Sequence, residues 1–214
     1  MRTDDLISAL AEDYASQPSP EPLGRTLAVA IVAGVAIAVA LFCIMLSVRP
    51  DIVSALGTWR FDMKCADTIV LAIVATWVAS RLSRPATNPR SATRALVVPA
   101  FLLLGAVIYE LVTIPASAWL PRAMGMNGLI CLANIIVLSL VPLCAVLYAL
   151  RQGAPMSPAF TGAAAGLLAG ALGATVYAAH CMDDSPLFVA IWYTLAIGFM
   201  ALVGLLVGQY VLRW

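Results

Sequence analysis

The sequence has little charge. Only 11% of its 214 residues are charged, against roughly a quarter in a soluble domain. That deficit excludes a large water-facing surface. With 63% hydrophobic residues and a mean hydropathy of +0.98, the chain reads as an integral membrane protein. It has one histidine, no CxxC, no HExxH and no Ser-His-Asp pattern. A thiol oxidoreductase needs a paired motif such as CxxC, and the reading is that the chain is not an enzyme. The net charge of +1 points neither toward nor away from nucleic acid, and no direct nucleic-acid binding is expected. The start, "MRTDDLISALAEDYASQPSPEP", is too acidic and too polar for a secretory signal peptide. The apolar runs are continuous rather than alternating, which excludes β-barrel spans.

What is present is length without interruption. A helix needs about 20 apolar residues to cross the hydrocarbon core. Six segments qualify, at roughly 26–48, 63–82, 95–116, 127–149, 159–180 and 187–212. The second opens with Asp62, Lys64 and Asp67 and is the weakest. The fold expected is all-α, a polytopic bundle of six transmembrane helices with a short N-terminal amphipathic helix. Residues 1–25 form a cytoplasmic segment and linker, and 26–214 the membrane domain. The lipid bilayer is then an obligatory partner.

Orientation follows from the distribution of Lys and Arg. With the N-terminus inside, eight basic residues are cytoplasmic: Arg2, Arg25, Arg81, Arg84, Arg90, Arg94, Arg151 and Arg213. Four lie outside: Arg49, Arg60, Lys64 and Arg122. The split places both termini in the cytoplasm.

The fifth segment contains "GAAAGLLAGALG", with Gly162, Gly166, Gly170 and Gly173 near one face. Small residues at this spacing let helix backbones approach closely in lipid. The reading is an internal helix seam, shared with Gly204 and Gly208, rather than a glycine-lined substrate path. Pro142 could kink the fourth span.

Chemistry concentrates in two places. In "TDDLISALAEDYAS", Thr3 reads as an N-cap, and Asp4 and Asp5 fall in the first turn, where the helix dipole favours acids. Leu6, Ile7, Leu10, Ala11 and Tyr14 form an apolar stripe. Membrane-surface helices carry Lys and Arg on their polar face, whereas this one is acidic. Docking in a partner's groove fits better than lying on lipid. The linker "SQPSPEP" is proline-rich and semi-rigid.

The second place is the outer rim. Cys43, Cys65, Cys131 and Cys181 all lie toward the outer ends of spans, and only Cys144 lies well inside. Glu110 and Asp67 sit within spans near the same rim, and "HCMDDSP" carries His180, Asp183 and Asp184. An ionisable group inside a span is a functional hypothesis by default. The loop reads as the lid of a polar cluster able to bind a soft metal ion or undergo thiol oxidation. Cys131, His180 and Cys181 lead the set, with Cys65, Glu110, Asp183 and Asp184 behind them. Cys43 and Cys144 read as small hydrophobes. Asp183 and Asp184 have a second reading, as caps of the sixth helix ahead of Pro186.

The stretches "MRTDDLISAL", "RPDIVSALGTWRFDMKCADT", "SAWLPRAMGMNGLICLANI" and "HCMDDSPLFVAIWYTLAI", with the terminal "LRW", resemble the NrsF family over essentially the full length. The resemblance implies a six-span membrane anti-sigma factor of the bacterial cytoplasmic membrane. It would sequester a sigma-F-type extracytoplasmic-function sigma factor at the cytoplasmic face and release it on envelope, metal or oxidative stress. The family pattern maps onto Thr3 to Ile7, Cys131, and His180 with Cys181. Sigma docking would fall to Asp4, Asp5, Leu6, Ile7 and Leu10. No cofactor is implied, beyond a thiophilic metal ion as the signal. The alternative is a small multipass transporter or channel for metal ions or small solutes. That would call for charged or broken helices near the membrane midplane.

Overall fold

A backbone in hydrocarbon must satisfy its own hydrogen bonds, and a helix does so within one segment. The computed structural model describes residues 3–16, 22–85 and 89–213, and among these there is no strand. Helix α1 spans Thr3–Ser16. Six further helices are long and apolar enough to cross a membrane: α2 Leu23–Met45, α3 Trp59–Leu82, α4 Arg90–Thr113, α5 Gly128–Leu150, α6 Pro158–Ala178 and α7 Pro186–Val211. The expected spans are all present, and α5 runs through Pro142 as one helix.

Helix α6 is the most buried of the six and packs on α2, α3, α5 and α7. Its glycines explain this. A Cβ on Gly166 would overlap the carbonyl oxygen of Met200, and one on Gly162 would overlap that of Gly204. On the other helix, a Cβ on Gly208 would lie 2.6 Å from the Gly162 Cα. Gly173 faces α5 instead, against Ser139. The glycine stripe is the helix seam expected.

Two buried clusters fill the bundle. One, with Leu143, Leu150, Leu168 and Leu212, lies toward the ends joined by residues 83–89 and 151–157. The other, with Phe42, Cys131, Tyr177, Cys181, Phe188 and Tyr193, lies toward the opposite ends. There the three connections 46–58, 114–127 and 179–185 meet. We call this the thiol face, and the opposite one the arginine face.

In α1, Leu6 and Ile7 are 44% and 59% exposed, and Asp4, Asp5 and Ala11 are exposed as well. Nothing described in the bundle covers the apolar side chains of Leu6 and Ile7. The helix includes Thr3, which was expected one step outside it as a cap. The side chains of Leu10 and Tyr14 and the linker 17–21 lie outside the described residues.

Candidate functional site

The thiol face is built from three connections tied together by ion pairs. Cys131 enters from the first turn of α5, where its N–H donates to the Asn127 carbonyl at 2.9 Å. Cys181 follows the end of α6, its N–H donating to the Tyr177 carbonyl at 3.2 Å. The two sulfurs are 3.6 Å apart, both side chains are buried, and no disulfide joins them. The Tyr177 hydroxyl donates to the Cys131 sulfur at 3.1 Å. This gives a chain from Tyr177 through Cys131 to Cys181. When protonated, Cys181 can donate onward to the Asp183 carbonyl at 3.6 Å.

Hydrogen bonding from Cys131, reinforced by the Lys64 ammonium, pulls the Cys181 thiol down to about 7, against the upward push of burial. Arg49 and Lys64 are 5% and 2% exposed. The Cys181 carbonyl accepts from Arg49 at 3.1 Å and from Lys64 at 2.9 Å. Asp184 pairs with both cations, at 2.8 Å from Arg49. Arg49 also forks onto Asp51 through two 2.8 Å bonds, which hold the Asp51 carboxyl below its ordinary range. The Phe61 ring lies beneath both cations, 5.5 Å from the Arg49 guanidinium and 5.3 Å from the Lys64 ammonium.

Glu110 organises the other flank. It is fully buried in α4, and it accepts from Arg60 and Arg122 at 3.0 Å each. Its second oxygen accepts from the Ser185 hydroxyl at 2.6 Å and the Leu187 N–H at 3.3 Å, fixing the start of α7. Just beyond, Val189–Tyr193 forms a π-turn. Such wide turns shift side-chain register within a helix and recur at functional sites. Here Tyr193 is buried in the same cluster as Cys181.

A cavity of about 610 Å³ adjoins the thiols, lined among others by Ser47, Met126, Cys131, Tyr177, His180 and Cys181. The three leading residues of the sequence reading therefore share one cavity. Their expected role as a joint metal site is not assembled. Among the described residues no group of three His, Cys, Asp or Glu side chains is placed to hold a metal ion. His180 places its Nδ1 2.6 Å from the Ser47 carbonyl oxygen. What remains is a two-thiol site. Two adjacent sulfurs can take up one soft ion or form a disulfide.

The secondary residues separate. Asp184 is an ion-pair partner rather than a helix cap, and the Ser185 position ahead of α7 makes no side-chain cap bond. Asp183 meets the Met126 N–H at 3.4 Å. Asp67 lies apart, and its Oδ1 has no hydrogen-bond partner. Cys65 is half-buried on α3, whereas Cys43 and Cys144 are exposed on the helix sides, as small hydrophobes facing lipid would be. The sequence reading missed Arg49, Lys64, Arg60, Arg122 and Tyr177 as parts of the site. A signal was present, since carboxylates buried in so apolar a chain require cations nearby.

Fold and site together define a six-helix polytopic membrane protein with a thiol pair held in an ion-paired loop face. The chain belongs to the NrsF family, described as negative regulator of sigma F, whose pattern it matches over residues 10–214. It is 37% identical over 217 residues to the anti-sigma-F factor NrsF of Caulobacter vibrioides, covering 100% of both chains. It is 34% identical over 214 residues to the probable anti-sigma-F factor NrsF of Azospira oryzae, again covering 100% of both. No solved structure matches it.

Proposed function

We propose that the chain is a membrane-anchored anti-sigma factor whose thiol pair senses stress and whose N-terminal helix holds the sigma factor. The single observation that carries the sensing role is the 3.6 Å approach of Cys131 and Cys181 beside a cavity. Membership of the family supplies the class of partner. In this reading the partner is an extracytoplasmic-function sigma factor at the bacterial inner membrane, and both termini are cytoplasmic. The basic residues of the arginine face support that orientation. The acidic, apolar-striped α1 suits a partner whose nucleic-acid-binding surfaces are basic. No step is catalysed. Signal and output are linked as a coupling between two conformations with different sigma affinity.

The test uses the intact protein and its sigma factor in cells. Truncating a buried Leu typically costs about 2–5 kcal/mol. Leu6→Ala with Leu10→Ala should therefore abolish co-purification and release sigma constitutively, with the protein still in the membrane. Cys131→Ser or Cys181→Ser should keep basal repression but lose induction by thiophilic metals and oxidants. Repression that survives the double Leu change removes α1 as the contact. Induction that survives both Cys changes removes the thiols as the sensor. A cytoplasm-active reporter fused after residue 214 should be active, and silence there reverses the orientation.

A further inference from the structure

Asp67 belongs neither to the thiol pair nor to the ion-paired loops, yet it is one of the most costly groups in the molecule. It is 7% exposed, its Oδ1 has no hydrogen-bond partner, and no cation of the described residues pairs with it. Its neighbours are already committed. Lys64, one turn away on α3, binds Asp184 and the Cys181 carbonyl. Arg60 and Arg122 bind Glu110. The adjacent Thr68 hydroxyl donates back to the carbonyls of its own helix. A lone carboxylate in hydrocarbon stays ionised only if something positive reaches it.

Asp67 lines a cavity of about 510 Å³ between α3, α4 and α7, a volume within the range of roughly 300–1,000 Å³ typical of small-molecule sites. The remaining walls are mostly hydrocarbon, from Leu71, Leu103, Val107 and Ile197. We propose that this cavity binds a lipophilic cation, specifically a protonated amine on an apolar body, with Asp67 as its counter-ion. An ammonium brings the missing charge and several N–H donors for the Asp67 carboxylate. An alcohol of the same shape brings one donor and no charge. The site is separate from the thiols but not remote from them. Its wall includes Val189 and Tyr193, the two ends of the π-turn, and Tyr193 packs in the cluster that holds Cys181.

The test is calorimetric titration of the full chain in nanodiscs, with empty nanodiscs as the blank. The probes are 1-aminoadamantane and its neutral counterpart 1-adamantanol. The amine should bind saturably at close to one per chain, and at least tenfold more tightly than the alcohol. That comparison needs no variant. Asp67→Asn keeps shape and hydrogen bonding but removes the charge, and should weaken the amine at least tenfold while leaving the alcohol unchanged. Gly198→Phe supplies a second arm that leaves Asp67 intact. A Cβ there meets nothing within 4 Å and the residue lines the cavity, so the ring should fill it and block the amine. Equal affinity for amine and alcohol overturns the proposal, as does amine binding that survives Asp67→Asn. Heat indistinguishable from empty nanodiscs overturns it too, leaving lipid chains as the occupant.

Discussion

Replacing Cys131 with Ser should change the chemistry of a different residue, Cys181. The Cys131 sulfur, 3.6 Å away, supplies the largest contribution to holding the Cys181 thiol at about 7. A serine hydroxyl is a shorter side chain with a smaller oxygen in place of sulfur, and it reaches less far across that gap. Without the contact burial becomes the largest influence, and Cys181 should rise to the ordinary thiol value of about 8.5 or above. At pH 7 its thiolate fraction would then fall from about one half to about 3% or less, a loss of at least roughly fifteenfold. Rate alone would hide most of this. A more basic thiolate is also more nucleophilic, with a Brønsted slope of about 0.4–0.5, which returns roughly fivefold. The net slowing at pH 7 is only about threefold, so the midpoint of the pH profile is the better measurement. The assay is mixed-disulfide formation with a small methanethiosulfonate, which expels methanesulfinate, in a background carrying Cys43→Ala, Cys65→Ala and Cys144→Ala, read by mass as loss of the free thiol. Reactivity should rise with pH through a midpoint near 7 with Cys131 present. It should rise through a midpoint of about 8.5 or above with Ser in its place. The sign follows from a depressed value: thiolate is present above the midpoint and lost as pH falls through it. A midpoint that stays put when Cys131 is changed refutes the hydrogen-bonded pair.

Two further predictions concern the frame. Gly166→Leu should sharply lower the thermal midpoint in detergent, because its Cβ meets the Met200 backbone, which cannot rotate away. Overpacking typically costs about 1–3 kcal/mol, and a backbone clash belongs at or above the top of that range. Gly105→Leu, where a Cβ meets nothing within 4 Å, should be silent, and equal effects would dismiss the seam. Glu110→Gln should destabilise by about 1–3 kcal/mol, since the charge serving two arginines is lost at a fully buried position. Arg60 and Arg122 are about a third exposed and can turn to water, which keeps the loss from being larger. Asp62→Asn, whose carboxylate accepts one long 3.4 Å bond at an exposed site, is the control and should leave the midpoint where it is.

Local composition carried the helices, because an unbroken apolar run of this length has one good solution in lipid. The α6 seam was legible for the same kind of reason, since four-residue spacing of glycines is itself a packing rule. Cys131 and Cys181 were anticipated as a pair able to share a soft ion or a disulfide, whereas their actual spacing depends on where α5 and α6 cross. The partners of the buried carboxylates were not legible. "HCMDDSP" has no positive charge of its own. Its cations come from positions 49 and 64, more than a hundred residues away along the chain, and only the packing of α2, α3 and α6 brings them there. The contact of His180 with the Ser47 carbonyl, 133 positions away along the chain, was not legible either.

A sensor built on this thiol pair must answer how two different signals could give one output. A disulfide draws the sulfurs from 3.6 Å to about 2.05 Å. A soft ion bonded to both sulfurs at about 2.3 Å holds them roughly 3.8 Å apart in tetrahedral geometry. The first contracts the pair by about 1.5 Å, and the second leaves its spacing almost unchanged. Distance between α5 and α6 therefore cannot be the common message. What both events share is the removal of S–H donors and of free thiolate charge beside Lys64. The donor step from Cys131 to Cys181 is lost either way, and the Lys64 ammonium keeps the Cys181 carbonyl and Asp184 but no longer faces a free thiolate. Lys64 and Arg49 then bind the loop with altered electrostatics, at the point where α6 ends. Because α6 meets α7 through backbone rather than side chains, it has few rotamers with which to absorb a change locally and responds as a rigid body. At its far end Thr161 donates to the Leu82 carbonyl at 3.2 Å, and the Ala154 N–H to that of Ser83 at 3.0 Å. These bonds fasten α6 and the connection before it to the end of α3 on the arginine face, where α2 begins. A change in charge at one end of α6 thus has a mechanical route to the other, and it runs through the ion pairs rather than through the sulfur–sulfur distance.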